Sequence, residues 1–222
     1  MKLTFSQCDV HFIPAPSPEA PIVYFIGAPD SEEDAREIIS AWGNACASMA
    51  FIHVKNWNGM LSPWPAKACF RAGEDFAGGA DAFLNALVSE IVPEVEKNLA
   101  ALPSERCLAG ISLGGLFALY AMYRTDAFSA FASVSGSLWY DGFTDFMRRE
   151  PFGRTPRCVY LSLGDREECT KNPRLRRVGD ATREALAFFE EKGISCKLEM
   201  NPGNHFVDGV KRTVRALRWL FA

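Results

Sequence analysis

The sequence predicts an α/β fold: a mainly parallel central sheet with helices on both faces. Three observations carry this. Short apolar, β-branched and aromatic runs alternate with segments whose apolar residues recur at helical spacing. That is the pattern of strand–helix–strand units whose sheet is covered on both sides. Residues 110–114 read Gly-Ile-Ser-Leu-Gly, after a short apolar run (Arg106 to Ala109) and before a nearly all-apolar one (Leu116 to Tyr123); the order is strand, tight turn, helix. The residues with chemical potential fall just after strands, where open α/β sheets bind ligands.

Taken in order, Val10–Ile13 reads as an early edge strand, closed by Pro14, Pro16 and Pro18. Pro21 to Ile26 is short, β-branched and aromatic, so a buried strand. Residues 32–42 carry Ala35, Ile38, Ile39 and Trp42 at helical spacing behind a Ser31 cap and the acids Glu32, Glu33 and Asp34, which suit the positive end of a helix. Met49–Val54 is a strand, and residues 55–79 are irregular. Residues 80–100 return to helical spacing with an interruption at Pro93. Phe128–Ser135 is a strand, and 137–156 is an irregular segment with about one helical turn. Cys158–Leu163 is a strand ended by Gly164, and 176–192 is a helix. Ser195–Met200 is the last strand and Val207–Phe221 the last helix. No repeat or linker divides the chain, so residues 1–222 are expected to form one domain with at most a minimal cap.

Composition narrows the function. At 222 residues and 48% hydrophobic, with 17 Phe, the chain can bury a large core. A net charge of −3 leaves no basic footprint for nucleic acid. The first ten residues lack a signal-peptide pattern, and no apolar run reaches membrane-spanning length. The seven cysteines are scattered, odd in number and without a C-x-x-C pair, which predicts reduced thiols, mostly small core residues, in a cytoplasmic protein. Three dispersed histidines and the absence of ligand spacing predict no metal site.

The chemistry centres on Ser112. A serine hydroxyl is a weak nucleophile and needs a base within reach and a third group to orient that base. A sharp turn exposes the hydroxyl, and Gly110, Gly114 and Gly115 remove side chains that would clash there. The fold that this motif marks, that of the α/β hydrolases, has the chain order serine, acid, histidine. His205 alone among the histidines follows Ser112, between the last strand and the last helix; His11 and His53 lie in strands and read as structural. The acid comes from the turn after Gly164, where Glu167 is preferred and Asp165 and Glu168 are alternatives; a Ser-His dyad is the remaining option. An oxyanion hole needs two backbone N–H donors. One is Leu113. The other comes from Gly27-Ala28-Pro29-Asp30; Pro29 has no N–H, which leaves Gly27 or Ala28, and Ala28 is chosen. Trp57, Asn58 and Trp64, with Trp139 and Tyr140, are candidates to wall a substrate pocket.

With these residues assembled, the chain resembles the Putative esterase family of the α/β-hydrolase superfamily, which includes esterase D and the enterochelin-type siderophore esterases. The resemblance spans nearly the whole chain. It is best in Gly110 to Tyr120, Ser135 to Trp139 and Asn201 to Phe206, and extends to Trp57-Asn58, Pro63-Trp64-Pro65 and Asn172-Pro173. Ile111 departs from the histidine or aspartate often found before the nucleophile. The resemblance implies carboxylester hydrolysis through an acyl-enzyme without a cofactor. The expected substrate is a small soluble ester or thioester. Alternatives are acyl transfer from the same intermediate, an intracellular siderophore esterase (the loops show no evident basic cluster for an anionic iron chelate), and a non-catalytic binding protein. The exposed aromatics also suit a homodimer.

Overall fold

The computed structural model describes residues 1–27, 32–43 and 46–222, the side chains of 32–34 excepted. The chain runs β1 (Lys2–Thr4), β2 (Cys8–Ile13), β3 (Ile22–Ile26), α1 (Glu32–Trp42), β4 (Ser48–Val54), α2 (Trp57–Leu61), β5 (Pro65–Ala66), β6 (Phe76–Ala77), α3 (Ala80–Ala86), a π-helical stretch (Leu87–Ile91) and α4 (Val92–Glu96). It continues with β7 (Arg106–Ile111), α5 (Leu113–Ala121), β8 (Ala130–Val134), α6 (Phe143–Arg149), β9 (Cys158–Gly164), α7 (Pro173–Arg176), α8 (Val178–Glu191), β10 (Ser195–Asn201) and α9 (Gly209–Leu220).

Eight strands form one sheet in the order β1-β2-β4-β3-β7-β8-β9-β10. From β4 to β10 every pairing is parallel, and β2 runs antiparallel to both β1 and β4. Alternation along each strand divides the apolar residues between two cores. Tyr24, Ile26, Leu108 and Phe131 face one side, where α3, α5 and α8 supply Phe83, Phe117, Phe188 and Phe189. Val23, Phe25, Phe51 and Ala109 face the other, where Ile38 and Trp42 of α1 meet Val214, Leu217 and Leu220 of α9. Both faces are covered, as the apolar runs require.

Four local expectations change. The strand at Val10–Ile13 is not an edge: β2 is paired on both sides, and the edge is β1, three residues whose Lys2 and Thr4 gave no apolar signal. The irregular stretch 55–79 contains α2 and the small ladder of β5 with β6. Pro93 does not break its helix. It sits in the first turn of α4, directly after the π-helical stretch, where the widened register accommodates a residue without an N–H. The segment after β8 carries seven residues of helix in α6. The Ser31 cap lies outside the described residues.

Close approach of β7, α5, β3 and β8 fixes the glycines of the turn. A Cβ on Gly110 would lie 2.4 Å from the Gly114 carbonyl, one on Gly114 2.6 Å from the Ile26 oxygen, and one on Gly115 2.7 Å from Ser133 Oγ. Gly110→Ala is therefore expected to lower stability by about 1–3 kcal/mol or more, which for a chain of this size lowers Tm by roughly 2–4 °C per kcal/mol. Calorimetry checks this, and an unchanged midpoint would show that the turn tolerates a methyl group.

Candidate active site

Ser112 joins β7 to α5 with φ 56° and ψ −122°, a conformation costly for any residue with a Cβ. Its surroundings hold it there. The Ser112 N–H donates to the Val134 oxygen at 3.0 Å, and its carbonyl accepts from the N–H groups of Ser137 (3.0 Å), Gly115 (3.0 Å) and Leu116 (3.2 Å). The hydroxyl is thereby presented above the carboxyl ends of the strands, 3.1 Å from His205 Nε2 and 3.4 Å from Ser137 Oγ. Leu113 is the first residue of α5, so its N–H has no acceptor within the helix.

His205 lies in the connection between β10 and α9, and its Nδ1 is 2.7 Å from Glu167 Oε2. Glu167, after β9, has a side chain only 3% exposed. Its Oε1 accepts from the Gly164 N–H at 2.7 Å and from Arg212 Nη1 at 2.9 Å. Burial pushes this carboxyl up, but the hydrogen bonds from His205 and the Gly164 N–H, together with the His205 charge, outweigh burial and leave it below the usual carboxylate range. The other two candidate acids point elsewhere. Asp165 Oδ1 accepts the Gly203 N–H at 2.8 Å, and Glu168 pairs with Arg183 at 2.8 Å. His11 and His53 sit in β2 and β4, away from this cluster.

Two hollows meet at Ser112. The larger, about 460 Å³, lies on the His205 side and is lined among others by Arg166, Cys169, Leu175 and Phe206. The smaller, about 170 Å³, lies on the Leu113 side and is lined among others by Trp57, Asn58, Phe76 and Trp139. Trp139 borders both, with the Arg174 guanidinium 5.4 Å from its ring centroid. Asn58 contributes a wall while its amide donates to the Glu74 oxygen. Trp64 does not reach either hollow: its indole N–H donates to the Asp141 oxygen and its ring packs on Tyr140 and Phe146. Tyr140 is buried, its hydroxyl bonded to the Trp64 oxygen. Both are packing residues.

Ala28 lies outside the described residues. Gly27 is described, with φ 86°, and its N–H donates to the Ile52 oxygen at 3.1 Å, so it is committed to the strand ladder. All seven cysteines are free thiols, but only Cys8, Cys107 and Cys158 are core residues; Cys46 and Cys169 are exposed. Among the described residues no group of side chains could hold a metal ion, and no helix is long and apolar enough to cross a membrane.

Three contributions were missed in the sequence. Ser137 touches the nucleophile turn through both backbone and side chain. Arg212, 1% exposed, lies behind Glu167. Arg166 lines the larger hollow; Lys171, Arg174, Arg176 and Arg177 follow it in the chain but line neither hollow. The signal for Arg212 was its place on the inward side of a helix that is otherwise uncharged there.

Residues 12–204 match the family model described as "Putative esterase". The chain belongs to that family. The family is one of esterases, and the fold is that of the α/β hydrolases. The chain is 26% identical to YbbA of Bacillus subtilis (strain 168) over 168 residues, 72% of this chain and 67% of that protein. It is 31% identical to the ferri-bacillibactin esterase BesA of the same organism over 127 residues, 53% of this chain and 43% of BesA. In fold it is similar to an IroE-like serine hydrolase from Shewanella oneidensis, with a TM-score of 0.79 at 19% identity, covering 96% of this chain and 75% of that one.

The lowered Glu167 carboxyl has a consequence for stability. Because its folded value lies below its unfolded one, its ionisation stabilises the fold above the usual carboxylate range, and this contribution is lost as pH falls through that range toward the lowered value. Urea unfolding of the wild type from neutral pH to below about pH 4 is expected to show a steeper loss of stability than the same titration of Glu167→Gln. Parallel losses would mean that the network does not hold the carboxyl ionised.

Proposed function

We propose that the esterase hydrolyses small soluble carboxylic esters through an acyl-enzyme on Ser112. The observation that carries this is the continuous hydrogen-bonded chain from Ser112 Oγ through His205 to Glu167, at 3.1 and 2.7 Å. His205 Nε2 takes the hydroxyl proton as Ser112 Oγ attacks the ester carbonyl. Glu167, ionised, fixes the tautomer that leaves Nε2 free and stabilises the imidazolium that forms. The Leu113 N–H receives the developing oxyanion, and Ala28 remains the residue proposed for the second donor, the Gly27 N–H being bonded to Ile52. As the tetrahedral intermediate collapses, His205 returns the proton to the departing alkoxide. Water, deprotonated by the same imidazole, then attacks the acyl group and frees Ser112.

The positions of the hollows support one way of seating the ester. The leaving alcohol must lie beside the proton donor His205, which places it in the larger hollow. The acyl group then occupies the smaller one, beside Leu113 and between Trp57 and Trp139. Seven free thiols fit a reducing compartment, the cytoplasm.

A para-nitrophenyl ester series from acetate to octanoate tests both points. Ser112→Ala and His205→Ala are expected to lower turnover by at least about 10⁴-fold, and the wild type to prefer short acyl chains. Trp139→Ala is expected to move the optimum to longer ones. Turnover that survives both catalytic substitutions would remove Ser112 from the reaction.

A second reading, cleavage of the ester bonds of an anionic iron chelate, is favoured by Arg166 in the alcohol-side hollow. It is consistent with the name of BesA, a ferri-bacillibactin esterase. Arg166→Ala should then lower kcat/KM for a ferric catecholate ester by about tenfold, within the range for a charge-assisted contact, while leaving para-nitrophenyl acetate unchanged. Equal effects on both substrates would exclude it.

A further inference from the structure

Arg212 is the largest fully buried side chain of the esterase and a charged one. It projects from the second turn of α9, whose inward side otherwise carries Val214, Leu217 and Leu220. A buried cation is costly unless its hydrogen bonds are met, and the partners of this one are not spread through the core. Nη1 donates to Glu167 Oε1 at 2.9 Å and to Ser135 Oγ at 2.8 Å. Nη2 donates to the carbonyl oxygens of Pro202 at 3.1 Å and Asn204 at 2.9 Å. These acceptors lie at the carboxyl ends of β8, β9 and β10, and Asn204 immediately precedes His205. The backbone makes room for it: a Cβ on Gly164 would lie 2.8 Å from Arg212 Nη2.

We infer that Arg212 is a positioning residue, whose planar guanidinium fixes Glu167 and the loop carrying His205 relative to each other. The inference rests on the Ser112–His205–Glu167 reading. By occupying Oε1, Arg212 leaves Oε2 to face the imidazole, and by holding the Pro202 and Asn204 carbonyls it sets the base of the loop from which His205 reaches Ser112. A lysine ammonium is a point charge on a flexible stem and cannot reproduce this fork. The guanidinium also places a positive charge against the buried Glu167 carboxylate.

The test measures kcat, KM and the pH profile on a para-nitrophenyl ester from about pH 5 to 9. It compares the wild type, Arg212→Lys and Arg212→Gln, and the same two substitutions in a Glu167→Ala background, with thermal unfolding to identify folded protein. Besides Arg212, the charged groups of this region are Glu167, Arg166 on the cleft wall and Asp165 in the turn against Gly203. Arg212→Gln is expected to lower kcat by roughly 10–100-fold with KM little changed and to move the acid limb to higher pH, because the uncompensated carboxylate holds the imidazolium proton more tightly. Arg212→Lys keeps the charge, so its acid limb stays at the wild-type position while kcat falls about tenfold. In the Glu167→Ala background each substitution is expected to cost severalfold less than in the wild type, the remainder coming from the lost hold on the Pro202 and Asn204 carbonyls. Losses of equal size in both backgrounds, or a folded Arg212→Gln enzyme with wild-type kcat and acid limb, would overturn the proposal. If Arg212→Gln fails to fold, Arg212→Lys and its Glu167→Ala pair decide. An active Ser112→Ala enzyme would instead sink the underlying triad reading.

Discussion

The backbone at Ser112 is held where a side-chain-bearing residue does not rest by itself. Its φ of 56° persists because the residue is bonded on both sides, to Val134 through its N–H and from Ser137 through its carbonyl. Everything catalytic is referred to that point. The strain directs the hydroxyl out of the sheet, leaves the Leu113 N–H at an open helix terminus, and demands three glycines in six residues so that β7, α5 and their neighbours can approach. Ser112 therefore ties the central strands together at the point where its hydroxyl meets His205, and a change that relaxed the turn would disturb both.

Parallel pairing does the rest. Because β7, β8, β9 and β10 run in the same direction, their carboxyl ends open at one edge of the sheet, and the residues that follow them converge there: Ser112, Ser135, Glu167 and His205. None of these is close to the next in sequence. Precision comes from hydrogen bonds among the connections rather than from rigid elements, and Arg212 makes four of them at a place where water does not reach.

Part of this was legible without coordinates. Ser112 and His205 stand out because a motif and a chain order single them out, and the alternation of apolar runs reports the layers directly. Glu167 was harder. Three carboxylates share one turn, and which of them turns inward depends on long-range partners: the Gly203 N–H engages Asp165 and Arg183 engages Glu168. Trp64 resembled Trp57 as a loop aromatic, but the Asp141 carbonyl draws it into packing. Helical period sets Arg212 on the inward side of its helix, apart from Arg215 and Arg218, but it does not say what waits there. β1 was too short and too polar to register as a strand, and the π-helical stretch before Pro93 leaves no mark in spacing.

The two hollows draw their walls from different parts of the chain. The smaller is formed largely by the α2–β6 region, and the larger by the connections after β9 and β10, with Ser112, Ser137 and Trp139 among the few residues they share. Insertions or substitutions in one region can thus reshape one hollow while leaving most of the other's wall as it is. On the proposed hydrolysis, such changes would alter the preference for one half of the ester at a time around an unchanged Ser112–His205–Glu167 arrangement.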